Sequence, residues 1–367
     1  MRIVYLLTSL GIGGAERQTL ALADRMARRG HSVAVLVLRP QLAEEWPIEL
    51  TARRLSMKRT LLSVMEGLAK ARHFLREFKP DLVHSHSFHA NSVARLLKAT
   101  LPSITVISTL HNVYEGGWLR MLAYRLTDGL SRRTIAVSQV AASRFVALKA
   151  VPEEKCIVLR NAIEIDRFVP DAERRARVRA AMGVTDEFVW LAAGRIVPAK
   201  DIPNLLRAFQ QVLAVYPNTR LWIAGDVLNE EFDRATALAK DIGLNSHLSW
   251  LGLRRDLPAL LDAADGFVLS SAWEGMPLSL GEAMAMEKAV VATDVGGVRE
   301  LVGECGRVVP AKSPEALAGG MLGVMQSSAE ELHSLGRAAR MRIASEFNMD
   351  SRVKDWEALY QMVLAGK

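Results

Sequence analysis

Short apolar runs of four to six residues recur along this chain, each bounded by Gly, Pro or polar residues, and they alternate with longer stretches of helical period. Residues 2–7 (RIVYLL) read as a buried strand that runs into Gly11, Gly13 and Gly14, and residues 15–29 then show the spacing of an amphipathic helix. Residues 33–38 give the next strand. Strand, glycine loop, helix and strand in that order predict a βαβ unit of a doubly wound parallel sheet. The pattern continues with a helix over 61–78 that Pro80 stops, a strand over 81–84, and a loop over 85–91 (SHSFHAN). A strand over 105–110, a helix over 118–133, a strand over 134–138, a helix ending near residue 149 and a strand over 156–159 follow.

A charged run at 171–179 precedes a second round of the same alternation. Its strands are expected at 190–193, 221–224, 248–251, 267–270, 289–293 and 308–309, with helices at 203–216, at 257–265 and after Pro277. Residues 349–364 form a last amphipathic helix. The class is α/β, with two Rossmann-like doubly wound sheets, and 367 residues, half of them apolar, suffice for two cores.

Composition narrows the possibilities. No apolar run approaches the roughly 18 residues that cross a bilayer. The first 14 residues are too short an apolar stretch for a signal peptide, so a cytoplasmic protein is expected. Cys156 and Cys305 have no metal-ligand spacing, and no structural disulfide is expected in that compartment. Charge is unevenly placed: residues 1–160 carry 24 Lys and Arg against 12 Asp and Glu, and the remainder 23 against 28. A basic first half points to an anionic partner. No aromatic-interleaved basic patch or binding module favours nucleic acid, which leaves a membrane surface or a phosphate-linked acceptor. The basic, Leu-rich stretch 118–133 could lie in an anionic interface, where each Lys or Arg adds roughly 1 kcal/mol. Its alternative is an ordinary surface helix with the Leu stripe in the core.

Candidate chemistry sits at the ends of the expected strands. The glycine loop reads G-I-G-G-A-E, so Glu16 stands where a dinucleotide fingerprint needs its third glycine. The next strand ends in Arg39 rather than in an acidic ribose ligand, which demotes NAD and leaves an NADP variant formally open. His84, His86 and His89 lack a carboxylate or cysteine that would complete a metal set. His111 follows the strand over 105–110. Arg195 and Lys200 flank a loop after the strand over 190–193, where two cations suit a diphosphate, Arg bidentately and Lys as a point charge. Glu274 and Glu282 are eight positions apart around Pro277 and Ser279, which suit a helix start. Free N–H groups and the dipole make that start an anion site, so Glu282 fits neutral hydroxyls such as a ribose diol. Its simpler reading is a carboxylate stabilised by the helix dipole.

The wording EGMPLSLGEAMA resembles the E-x7-E signature of the retaining GT-B glycosyltransferases, glycosyltransferase family 4 or group 1, and the likeness runs through nearly the whole chain. The resemblance implies two Rossmann-like domains facing across a cleft. Residues 1–163, with a returning helix at 351–367, would bind the acceptor, and residues 164–350 the nucleotide-sugar donor. It implies that Gly13 and Gly14 approach the donor diphosphate, that His111 lies near the transferred sugar, and that Arg195 and Lys200 neutralise the diphosphate. Leu253 and Arg254 would offer backbone groups to the base. Glu274 would bind sugar hydroxyls, Gly275, Met276, Pro277, Leu278 and Ser279 would line the donor phosphates, and Glu282 would hold the ribose. The family uses no protein-bound metal and no cofactor; the nucleotide sugar is a substrate. One departure is Asp201, where the family has Gly after the lysine. The implied reaction moves a sugar, with retention, from a UDP-sugar to a glycan or polyprenyl-diphosphate-linked acceptor in cell-surface polysaccharide or lipopolysaccharide assembly, at the inner face of the cytoplasmic membrane. A sugar-nucleotide epimerase on the same fold, a non-catalytic nucleotide-sugar-binding subunit and an NADP oxidoreductase are the alternatives.

Overall fold

The computed structural model describes residues 1–11, 13–39, 51–58 and 60–366; Ile12 of the glycine loop lies outside them. The chain forms two compact units, Met1–Ala162 with Met349–Lys367, and Ile163–Asn348.

The first unit runs β1 (Arg2–Leu7), α1 (Gly14–Arg28), β2 (Ser32–Val37), β3 (Thr51–Arg54), α2 (Leu61–Phe78), β4 (Leu82–His86), α3 (Ser87–Thr100), β5 (Thr105–Leu110), α4 (Trp118–Leu126), β6 (Arg133–Ala136), α5 (Gln139–Ala147) and β7 (Cys156–Val158). Among the described residues its strands make one parallel sheet of order β3-β2-β1-β4-β5-β6-β7. Strand residues buried on both faces explain the continuous apolar runs. Alternate residues of β1 split between two cores. Val4 and Leu6 pack with Ala71 and Leu75 of α2 and Val93 and Leu97 of α3. Ile3, Tyr5 and Leu7 pack with Leu22 and Met26 of α1.

The second unit runs α6 (Ala172–Ala181), β8 (Phe188–Ala193), α7 (Ile202–Val215), β9 (Thr219–Ala224), α8 (Glu230–Asp241), β10 (Leu248–Gly252), α9 (Leu257–Ala263), β11 (Gly266–Leu269), α10 (Leu278–Ala285), β12 (Ala289–Thr293), α11 (Val298–Val302), β13 (Arg307–Val309), α12 (Pro314–Met325) and α13 (Ala329–Glu346). Its sheet has the order β10-β9-β8-β11-β12-β13. α14 (Met349–Leu364) then places Val353, Trp356, Leu359 and Tyr360 in the core of the first unit beside α1. In both sheets the strand order reverses at one place, between β1 and β4 and between β8 and β11. Ligands of open α/β sheets bind outside the carboxyl ends of strands at such a reversal.

The structure departs from the sequence reading at several elements. The expected loop over 85–91 is absent: β4 runs to His86 and α3 starts at Ser87. Ser85 and His86 stay in register with Ser108 and Thr109 of β5, so the ladder outlasts the apolar run. The helix expected over 118–133 ends at Leu126, where the Thr127 hydroxyl turns back onto the Ala123 carbonyl and a short 3-10 turn, Asp128–Leu130, leads into β6. β3 was not foreseen because it has no apolar alternation; it is an exposed edge strand, and its arginines discourage pairing with other chains. α6, α8, α12 and α13 were also missed, although Asp171, Asn229, Ser313 before Pro314 and the Ser328–Glu331 capping box mark their starts.

Candidate active site

The loops at the reversal of the second sheet are residues 194–201 after β8 and 270–277 after β11, and they are bonded to one another. The Ala272 amide donates to the Ala199 carbonyl at 2.8 Å, and the Ser270 hydroxyl donates to the Lys200 carbonyl at 2.7 Å. These links bring Lys200 and Glu274 together across 74 positions of sequence: Lys200 Nζ lies 2.6 Å from Glu274 Oε1, which also accepts from the Ser271 hydroxyl at 2.7 Å. Arg195 is exposed on the same loop, with no hydrogen-bond or ion-pair partner among the described residues. The first loop thus offers one free cation and one that holds a carboxylate in place.

Asp201 has φ 45° and ψ 53°, the left-handed region, at the N-cap of α7. This accounts for the family's usual glycine at that position. Aspartate is one of the few side chains that visit the region, because its short polar group bonds locally.

Residues 274–277 lead directly into α10. Its N-cap is Pro277, one position before the first helical residue; the proline has no side-chain group to cap the amides, and Ser279, expected to help satisfy them, makes no capping bond among the described residues. Gly275, Met276, Pro277, Leu278 and Ser279 are buried, and Glu282 is 5 % exposed on the same short helix. Leu253 is exposed after β10, whereas the Arg254 guanidinium is held by Asp256, with Nε 2.8 Å from Oδ1. An open cavity of about 580 Å³ lies elsewhere, at the start of β8. Its Arg175 and Arg179 are already paired with Asp265, so it does not compete as the site.

In the first unit, Gly13 is the N-cap of α1 and Gly14 its first residue. The Glu16 carboxylate folds back so far over Gly13 that a Cβ there would lie 2.1 Å from its Oε2. His111 follows β5. Its Nε2 lies 2.9 Å from Nδ1 of His86, and burial pulls its pKa down to about 4, so the ring is neutral near pH 7. His84 is a core residue, bonded to the Tyr360 hydroxyl at 2.8 Å and to Thr109 at 2.7 Å. His89 lies on α3. Among the described residues no cluster of three His, Cys, Asp or Glu could hold a metal ion. Sequence reading missed Glu115, whose Oε1 accepts the His111 amide at 3.2 Å. Its spacing from His111 is the one signal that could have found it.

Known proteins resemble the chain throughout. The family described as Glycosyltransferase Family 4 matches residues 12–167, and Glycosyl transferases group 1 matches residues 175–342. The Escherichia coli UDP-Gal:alpha-D-GlcNAc-diphosphoundecaprenol alpha-1,3-galactosyltransferase is 24 % identical over 84 % of this chain and 82 % of its own. The D-inositol 3-phosphate glycosyltransferase of Kineococcus radiotolerans is 27 % identical over 89 % and 86 %. The crystal structure of Anabaena HepE in complex with UDP superposes with a TM-score of 0.86 at 21 % identity, covering 99 % of this chain and all of that one. That likeness shows the fold, two parallel sheets with alternating helices of the GT-B class. The chain belongs to the GT-B glycosyltransferases of the family 4, group 1 type, and it is a sugar-transferring enzyme.

Proposed function

We propose that the enzyme transfers a sugar from a UDP-sugar to a lipid-linked glycan acceptor, with retention of the anomeric configuration, in the assembly of a cell-surface polysaccharide or glycolipid. The observation that carries this is the pairing of Lys200 with Glu274 at the reversal of the second sheet, beside the unpartnered Arg195. A glycosyl bond that breaks toward an oxocarbenium-like sugar sheds negative charge onto its diphosphate. Lys200 and the amides that open α10 are cationic or dipolar groups fixed in advance for that charge, and Arg195 is an exposed cation on the same loop as Lys200. Glu274 binds sugar hydroxyls and favours the cationic sugar, and Glu282 holds the ribose. Gly13, Gly14 and His111 are the first unit's own candidates for contact with the substrates, and in the second unit the main chain at Leu253 and Arg254 receives the base. The leaving phosphate takes the acceptor's proton, so the two glutamates are not the acid and nucleophile pair of a glycosidase.

UDP and a polyprenyl-diphosphate-linked acceptor are favoured by the Escherichia coli relative, whose name states both. The epimerase and binding-subunit alternatives have no counterpart among the relatives named above. A membrane contact is favoured by α4, whose Leu stripe is not in the core. Trp118 and Leu126 are 72 % and 75 % exposed, Leu119 and Leu122 are exposed with them, and Arg125 flanks them. No described helix is long and apolar enough to cross a membrane, so the contact would be peripheral, at the inner face of the cytoplasmic membrane.

A donor panel tests the reaction. With a polyprenyl-diphosphate sugar as acceptor, UDP is expected to be released from one UDP-hexose and no GDP from GDP-mannose, and the product should keep the donor's anomeric configuration by NMR. Release of GDP alone would overturn the donor assignment, and an inverted product the mechanism. Co-sedimentation with phosphatidylglycerol-containing vesicles tests the contact. Wild-type protein should pellet at low salt and Trp118→Glu should stay in solution; equal partitioning of the two would remove α4 from any membrane role.

A further inference from the structure

The segment leaving β5 holds a carboxylate that the transfer chemistry does not use. Glu115 is 8 % exposed. Its Oε1 accepts the His111 amide at 3.2 Å and its Oε2 accepts the Tyr124 hydroxyl at 2.5 Å. Tyr124 in turn accepts from Asn91 Nδ2 at 3.0 Å, and the same Nδ2 lies 3.1 Å from the Thr109 carbonyl. Arg120 donates to the Glu115 main-chain carbonyl at 2.7 Å and stands over the ring of Phe88. The carboxylate therefore ties the end of β5 to α3 and α4. The groups that face it are Arg95 of α3, Arg120 and Tyr124 of α4, and His111 after β5. Among the described residues neither arginine forms an ion pair with it.

We propose that Glu115 is a positioning residue for sugar transfer: its ionised carboxylate clamps the main chain of His111 while His86 holds the ring. The inference rests on the reading of His111 as a group beside the transferred sugar. Burial raises the Glu115 carboxyl to about 7, against the pull of its hydrogen bonds and of the two arginines. A core shaped for stability alone has no use for a carboxylate there, and shifted, buried acids of this kind gather at functional sites. His111 is neutral and acts only through the placement of its hydrogen bonds, so a shift of its main chain by a fraction of an ångström matters. Protonation removes one of the two acceptors and slackens the clamp.

The contribution of Glu115 to stability should vary in the opposite sense to activity. The folded pKa lies above the ordinary value of 4.5, so the native state keeps a proton that the unfolded chain gives up. The contribution of Glu115 to stability is then greatest below 4.5, falls as the pH rises to about 7, and is flat beyond, while the buried neutral His84, His86 and His111 work in the opposite sense as the pH passes 6.5.

Glu115→Gln keeps the shape and mimics the protonated acid, and three readings test the proposal. In wild type kcat should rise through a midpoint near pH 7. In the variant kcat at pH 8 should be lower by roughly 10-fold or more, with the inflection gone and the donor KM little changed. The variant's melting temperature should rise relative to that of wild type between pH 5 and 7, and at pH 8 it should match or exceed it. With only eight histidines, selective 15N labelling resolves the His111 amide. Its shift should titrate near pH 7 in wild type and not in the variant. Tyr124→Phe, which removes a hydrogen bond to the ionised form, should move the kinetic inflection to higher pH. A Glu115→Gln enzyme with wild-type kcat and inflection would overturn the proposal. So would a wild-type His111 amide unmoved between pH 5 and 8, or a loss of stability and activity together with the profile unchanged. If no donor supports transfer while the His111 amide titrates as stated, the transfer reading falls and the clamp stands.

Discussion

Lys200→Ala is expected to lower kcat/KM by roughly 10²-fold, the loss of about 3 kcal/mol that follows removal of one preorganised donor at a developing oxyanion. The folded state should survive. The Lys200 and Glu274 side chains are 19 % and 12 % exposed, and the Ser271 hydroxyl still donates to Glu274 Oε1 once the ammonium is gone. The cost to stability should therefore stay below the roughly 3–5 kcal/mol of orphaning a fully buried charge. Steady-state kinetics beside a urea melt separate the two effects. Undiminished turnover would remove Lys200 from the mechanism, and a collapse of the melt would make the pair a structural one. Because the two side chains touch, Glu274→Gln and Lys200→Ala should not add in the double variant.

Gly296→Ala should cost still more, and in both stability and rate. Gly296 has φ 55°, and a Cβ there would lie 2.1 Å from the carbonyl oxygen of Glu274 and 3.0 Å from that of Gly275. The atoms it meets are main chain, which cannot swing away. The next residue is bonded to the same loop, the Gly297 amide donating to the Gly275 carbonyl at 2.7 Å. Left-handed strain of about 1–2 kcal/mol adds to overpacking of about 1–3 kcal/mol, so a destabilisation of roughly 3 kcal/mol is expected. Any relaxation must push the Glu274 loop away from Lys200, so kcat/KM should fall as well. Gly129→Ala is the control: nothing lies within 4 Å of its Cβ position and its φ is ordinary, so it should be close to neutral. A Gly296→Ala protein as stable and as active as that control would show that the turn does not hold Glu274.

Which features were legible in the sequence depends on the range of the forces involved. The sequence by itself determined the alternation of strands and helices, the α/β class, and the residues at the mouths of the strands. Apolar period and glycine or proline punctuation are local, and Arg195, Lys200, Glu274 and Glu282 sit in short stretches that can be read without their partners. Resemblance then supplied roles for them. Only the tertiary structure decided that Lys200 and Glu274 form a pair, since that contact follows from β8 and β11 lying side by side although 74 positions separate the two residues. It alone made His84 a core residue and His86 the partner of His111, because register with β5 carries β4 beyond its apolar run. It alone exposed the leucines of α4, which a periodic pattern assigns equally well to a core or to an interface. Hydrogen bonds and burial depend on which strands become neighbours, and the strand order is settled by the packing of the whole sheet, which no local window of sequence contains.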